Sequence, residues 1–156
     1  MDIELLLKVQ TFLARYAQII DDDLLEEWPA LFVEAGRYVV TTDENFRRGF
    51  PIGMMYATSR AMLWDRIKSL RDANVYEAQR YRHILGAPLI SPSDGGVLRV
   101  QSNFLVARIM HTGETTIFAT GRYEDRIVVE GEALAFAERI VVLDSRQIDT
   151  LLAIPL

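Results

Sequence analysis

The 156-residue chain contains no cysteine. That excludes disulfides, thiolate nucleophiles, cysteine-held zinc and all-cysteine iron–sulfur clusters at once. Histidine is almost as scarce: there are only two, His83 and His111. Neither forms part of a His-Glu-x-x-His zinc helix, and no Gly-x-Ser-x-Gly elbow occurs. An iron site of two histidines and a carboxylate would need both rings in one place. They fall on separate expected elements, His83 in a strand and His111 at a turn. Glycine-rich phosphate loops are missing too, because Asp94-Gly95-Gly96 has neither the lysine nor the spacing. No apolar run approaches the roughly 20 residues that span a bilayer. Met1-Asp2-Ile3-Glu4 lacks the basic start of an export signal. The expectation is a cytoplasmic chain with no membrane partner.

Lysine is the last shortage. Lys8 and Lys68 stand against fifteen arginines, within a formal net charge of −5. The acidic balance argues against a nucleic-acid binder. Arginine's flat five-donor fork suits paired, partly buried contacts. The excess therefore reflects either a GC-rich genome or an arginine-rich interface.

What is present reads as one α+β domain over residues 1–156, with half its residues hydrophobic. Leu6, Val9, Leu13, Tyr16 and Ile20 step by three or four, which predicts a first helix capped by Asp2. Asp21-Asp22-Asp23 breaks it. Asp23 and Glu26 resemble a capping box opening a short second helix through Trp28 to Phe32. Residues 34–42 read as a strand and 43–58 as a loop or irregular hairpin. Ser59 or Thr58 opens a third helix with Leu63, Ile67, Leu70 and Asn74 on its face. Long strands follow over 80–85, 97–110, 115–129 and 134–143, with a turn-rich loop over 91–96 and short Gly-containing connections between the last three strands. Helices gathered first and hairpin-linked strands later predict a strongly curved, mostly antiparallel sheet wrapped around the helices.

Few residues offer chemistry. Asp21, Asp22 and Asp23 could bind a cation or supply a general base, but adjacent acids at a helix junction more often break and cap helices. Tyr16, Tyr81 and Tyr123 could line a pocket, although aromatic residues at such spacings usually fill cores. Arg80 and Arg82 alternate with Tyr81 and His83, so both faces of that strand end in polar groups. One face is expected to meet a partner subunit. Arg108 interrupts the parity of Phe104, Val106 and Met110 and needs a counter-charge or an interface.

At these residues the sequence resembles the small (beta) subunits of aromatic-ring-hydroxylating dioxygenases, the Rieske non-haem iron oxygenases. The resemblance spans nearly the whole chain. Its anchors are Ile20-Asp21-Asp22, Glu27-Trp28-Pro29-Ala30-Leu31-Phe32, Tyr38, Trp64-Asp65-Arg66-Ile67, Tyr81-Arg82-His83-Ile84-Leu85 and Arg139-Ile140-Val141-Val142-Leu143-Asp144-Ser145. The segment 108–115 and the close 149–156 look most like the terephthalate dioxygenase branch.

The resemblance implies a cone-shaped α+β fold of the nuclear-transport-factor or cystatin-like type. It also implies a trimeric base beneath three alpha subunits, α3β3, with the Rieske cluster and mononuclear iron in the alpha chain. This chain would then hold no cofactor, metal or catalytic residue. Trp28, Arg80, Arg82, His83, Arg108 and the tail to Leu156 are the expected interface residues. The competing expectations are a stand-alone cone-fold isomerase or dehydratase using Asp22, His83 and Tyr16 or Tyr81, and a non-enzymatic ligand-binding cone. An enzyme of that kind needs an open, polar-floored cavity; a cavity filled by apolar side chains leaves no substrate site.

Overall fold

The computed structural model describes residues 2–49, 53–73, 78–92, 94–145 and 152–156. Asn74 of the expected third-helix face, Ser93 and tail residues 146–151 lie outside them.

Helix α1 spans Ile3–Asp21, and the Asp2 carboxylate accepts the Leu5 N–H at 3.2 Å as its N-cap. Its buried side carries Val9, Leu13, Tyr16, Ala17, Ile19, Ile20 and Asp21. The expected second helix is instead two single 3₁₀ turns, Leu25–Glu27 and Pro29–Leu31. Asp23 does not cap them. It takes a positive φ of 58°, and its carboxylate receives Arg71 at 2.8 Å. Pro29 has no N–H to give Leu25 and its ring crowds that carbonyl, and Asp23 is left-handed, so a continuous α-helix cannot run from Asp23 through Phe32.

Strand β1 covers Phe32–Thr42. The expected loop after it holds a short helix, α2 (Asp43–Arg47), and a three-residue strand, β2 (Met55–Ala57), that pairs antiparallel with β1. Helix α3 runs over Arg60–Ala73, with Ser59 Oγ accepting the Met62 N–H. Strands β3 (Gln79–Leu85), β4 (Leu89–Pro92), β5 (Val97–Met110), β6 (Thr115–Glu130) and β7 (Ala133–Leu143) complete the chain. β4 occupies part of the stretch expected as a turn-rich loop.

The sheet order is β2-β1-β7-β6-β5-β3, with β4 also pairing β5. Every pairing is antiparallel except β1 with β7. Register shifts at Val106/Ala107 and Arg126/Ile127 put extra residues into β5–β6 and β6–β7. Such bulges bend strands and raise their twist, which curls the sheet around α1. Gly121 permits the close β6–β7 approach, since a Cβ there would lie 2.0 Å from the Val142 carbonyl oxygen. Along β5 burial alternates residue by residue, as a strand with one face on the core requires.

Candidate functional site

The inside of the cone is polar at its centre. Asp125 and Arg139 face each other across β6 and β7 and form two bonds of 2.8 Å between fully buried side chains. Three rings surround the guanidinium, with centroids 3.6 Å (Tyr123), 4.1 Å (Tyr16) and 4.5 Å (Phe136) from Arg139 Cζ. Burial pushes the Asp125 carboxyl up and Arg139 draws it back; Asp125 in turn holds Arg139 charged against its own burial. Two short parallel bonds are the geometry of an ion pair.

Above this pair the chain's own tail fills the space. Leu152, Ile154 and Leu156 are buried in the main core, Leu156 completely. Tyr16 Oη donates to the Leu156 carbonyl oxygen at 2.7 Å, and Tyr38 Oη does so at 3.0 Å. The Leu156 N–H donates in return to Tyr38 Oη at 3.0 Å. Arg66 reaches the Leu152 carbonyl at 3.4 Å. Burial raises the Tyr16, Tyr38 and Tyr123 phenols above their ordinary range, so they stay protonated, and Tyr16 and Tyr38 donate to the tail. Trp28 is fully buried edge-on against Tyr38 and Phe32.

A second polar pair joins α1 to the outer strand β3. Asp21 Oδ1 lies 2.6 Å from His83 Nδ1, and Asp21 Oδ2 accepts the His83 backbone N–H at 2.8 Å. The carboxylate thereby covers one backbone donor on the strand (an exposed edge invites pairing with another chain). The carboxylate at His83 is therefore Asp21, not the expected Asp22, which is exposed and closes α1 as its C-cap. Leu13, Ala17 and Asp21 step by four, so helical phase alone already put Asp21 on the buried stripe. Tyr16, Tyr81 and Tyr123 are core residues. A groove of ≈ 610 Å³ runs outside this pair, lined by residues 20–23, 78–81 and Ile154. Ile154 is the tail residue in its wall.

The six residues expected at an interface divide. Trp28 and Leu156 lie wholly within the chain's own core, and the His83 side chain has no exposed surface. Arg108 is buried with its guanidinium 4.7 Å from the Phe118 ring centroid. Strand parity turns His83 and Arg108 inward, Leu156 is buried with the apolar tail, and Trp28, between the two 3₁₀ turns, packs on Phe32 and Tyr38. Arg80 and Arg82 point outward and are exposed. Register places Arg82, Ala107 and Ile117 in one row across β3, β5 and β6, with Ile84 and Leu105 in the neighbouring row. Ile84 and Ile117 are 62% and 68% exposed, so this outer face is apolar with an arginine border.

The donor set does not fit a Rieske cluster, which takes two cysteines and two histidines. The chain has no cysteine, and His83 is spent on Asp21 while His111 sits in the exposed β5–β6 turn. Among the described residues no three acids or histidines converge as metal ligands, and no helix is long and apolar enough to cross a membrane.

The structure is thus a curved α+β cone whose interior is filled by its own residues and whose outer face is apolar with an arginine border. Residues 15–150 match the ring hydroxylating beta subunit family, and the chain belongs to it, as a subunit of an oxidoreductase complex whose other kind of subunit is the alpha chain. It is close to the terephthalate type. Identity is 45% over 150 residues to the terephthalate 1,2-dioxygenase terminal oxygenase component subunit beta 2 of a Comamonas species, covering 96% of this chain and 97% of that one. The anthranilate 1,2-dioxygenase small subunit of Burkholderia cepacia is 35% identical over 142 residues, 91% of this chain and 88% of that one. The crystal structure of a beta subunit assigned to an aromatic-ring-hydroxylating dioxygenase of Novosphingobium aromaticivorans superposes with a TM-score of 0.88 at 34% identity, covering 97% and 96%.

Proposed function

We propose that this chain is a non-catalytic organising subunit of a terephthalate-type dioxygenase, assembling as a trimer under three alpha subunits. The alpha chains carry the Rieske cluster and mononuclear iron, and this chain contributes no ligand to either. Holding two redox centres of neighbouring subunits at a fixed separation can change a rate by orders of magnitude without contributing a reacting group. The observation that carries the proposal is the filled cone. The polar floor that a stand-alone isomerase or dehydratase would need is present in Tyr16, Tyr38 and Arg139, but Leu156 sits on it. The aromatic acids named for the relatives, terephthalate and anthranilate, would bind in the alpha chain.

Contacts to neighbours fall on the outer face. A contiguous exposed apolar patch with a polar rim marks an interaction surface, and arginine is enriched in interfaces. Arg122 is already paired with Asp43 and Glu124, whereas Arg80 and Arg82 make no ion pair among the described residues. The test is co-expression with the alpha subunit, reading particle mass by light scattering. Wild type is expected as α3β3. The variant carrying Arg80→Ala, Arg82→Ala and Ile117→Asp is expected to purify as a folded chain without alpha. A triple variant that assembles as wild type does would overturn the assignment of this face.

A further inference from the structure

One row of residues crosses the outer face of the sheet from β4 to β1: Ser91, Arg99, Arg126, Glu138 and Arg37. Side chains in such a row stand side by side, and like charges directly opposite each other cost stability. Arg99 and Arg126 are such a pair. The acids beside them are already engaged. Glu138, next in the row, is bonded to Arg37 at 3.2 Å, and Glu124, one row along, is bonded to Arg122 at 2.8 Å. Arg99 and Arg126 are exposed and make no ion pair among the described residues.

A groove of ≈ 530 Å³ lies over this pair, and its lining changes character along the strands. The next row holds Leu89, Gln101, Glu124 and Ile140, with an aliphatic side chain at each end. It lies two residues, or roughly 7 Å, from the arginine row. Phe46 of α2 joins the lining on that side, with the Arg122 guanidinium 5.3 Å from its ring centroid. Leu89 keeps 71% of its surface exposed. The groove is thus cationic at one end and apolar at the other, and its volume is that of a small-molecule site.

We propose that this groove is a binding site for small aromatic carboxylates. The carboxylate sits between Arg99 and Arg126 and accepts N–H bonds from both, since a guanidinium fork matches a planar anion. The Ser91 hydroxyl, beside Arg99, is a third donor. The ring lies along the strands and reaches Leu89, Ile140 and Phe46, a span that benzoate matches. Binding also neutralises the repulsion between the two guanidiniums, so occupancy and stability rise together. The groove draws on β5 at residues 99–101, whereas the assembly face draws on Arg82, Ala107 and Ile117, and the two share no residue.

The test is titration of sodium benzoate into the full chain at low salt, read by calorimetry and by melting temperature. Wild type is expected to bind one equivalent saturably at about millimolar concentration. It is expected to melt higher when saturated and to lose affinity as salt is raised. Arg99→Gln and Arg126→Gln are each expected to weaken binding at least about tenfold, the worth of a charge-assisted hydrogen bond. Arg15→Gln on α1 makes the same change of net charge away from the groove and is expected to leave binding as it is. Benzyl alcohol has the ring without the charge, and inorganic phosphate the charge without the ring. Both are expected to bind at least about tenfold more weakly than benzoate. The Arg99 and Arg126 variants break no ion pair, so without benzoate they are expected to melt no lower than wild type.

Absence of saturable benzoate binding overturns the proposal. So does binding that survives both groove substitutions, a loss that Arg15→Gln reproduces, or benzyl alcohol or phosphate bound as tightly as benzoate. A groove variant that melts well below wild type shows the arginines to be engaged within the chain, which overturns it as well. None of these outcomes touches the assembly test above, because the triple variant used there leaves the groove intact.

Discussion

The two faces of β3 are built on different terms. Inward, Tyr81 and His83 are 2% and 8% exposed, and the His83 ring is fixed by an acid from α1. Outward, Arg80, Arg82 and Ile84 stand in solvent, and Ile84 keeps 62% of its surface. The same contrast runs across the sheet. Inside, polar groups meet partners of the same chain: Arg139 meets Asp125, the tail carbonyl meets two phenols, and Asp21 meets the His83 ring and backbone N–H. Outside, some arginines are paired, while Arg80, Arg82, Arg99 and Arg126 make no ion pair among the described residues. The interior is filled by the chain's own residues and tail, whereas the outer face leaves apolar surface edged by arginine, the face proposed above to meet a neighbouring subunit.

The sharpest way to break that comparison is to exchange one buried and one exposed arginine. Arg139→Met strands the Asp125 carboxylate in the core, and removing one member of a buried pair costs about 3–5 kcal/mol. Arg82→Ala should stay within about 0.5 kcal/mol, as surface changes do. Urea unfolding of both variants checks this, and equal losses would erase the distinction. Next in size is Asp21→Ala, which removes the partner of the His83 ring and of its backbone N–H. A loss of about 2–3 kcal/mol is expected in the same assay.

Tyr38→Phe should cost about 1–2 kcal/mol, because it deletes both the donor to the Leu156 carbonyl and the acceptor of its N–H. The three buried phenols add a pH dependence. Their native pKa values lie above the ordinary phenol value of about 10, so unfolded phenols ionise first as pH rises. The unfolded chain then binds fewer protons than the native one, and stability present below pH 10 is lost above it. The Tyr16→Phe, Tyr38→Phe double variant should lose less stability than wild type between about pH 9.5 and 11. A parallel fall would show that these phenols ionise freely. The smallest effect is expected at Arg71, which bridges Asp23 and Glu26 in a partly exposed position. Arg71→Ala should cost under about 1 kcal/mol, and less as salt is raised.

The long elements were legible because their patterns are strong. Helix α1, α3 and the long strands come from periodicities of 3.6 and 2 that run over most of their length, the bulges apart. The middle of the chain was not, because 43–58 mixes Gly, Pro and Met in runs too short to show a period. The capping box at Asp23 and Glu26 matched locally and yielded to the left-handed turn and to Arg71. The interior site was only half visible. Tyr16 and Tyr123 were recognisable as core aromatics, but pairing Asp125 with Arg139 needs the β6–β7 register, and that depends on the bulge at Arg126/Ile127. The tail's role was hidden for a similar reason: Leu156 lies 118 positions from Tyr38 in sequence, and nothing local announces the contact.

The central claim is that redox chemistry belongs to the companion chain and geometry to this one. Its most direct test is to purify the complex, separate the two subunits under conditions that keep this chain folded, and count iron in each by elemental analysis. All iron is expected with the alpha chain, and this chain is expected to turn over no aromatic acid. Stoichiometric iron retained by the separated cone, or turnover by it, would contradict the claim.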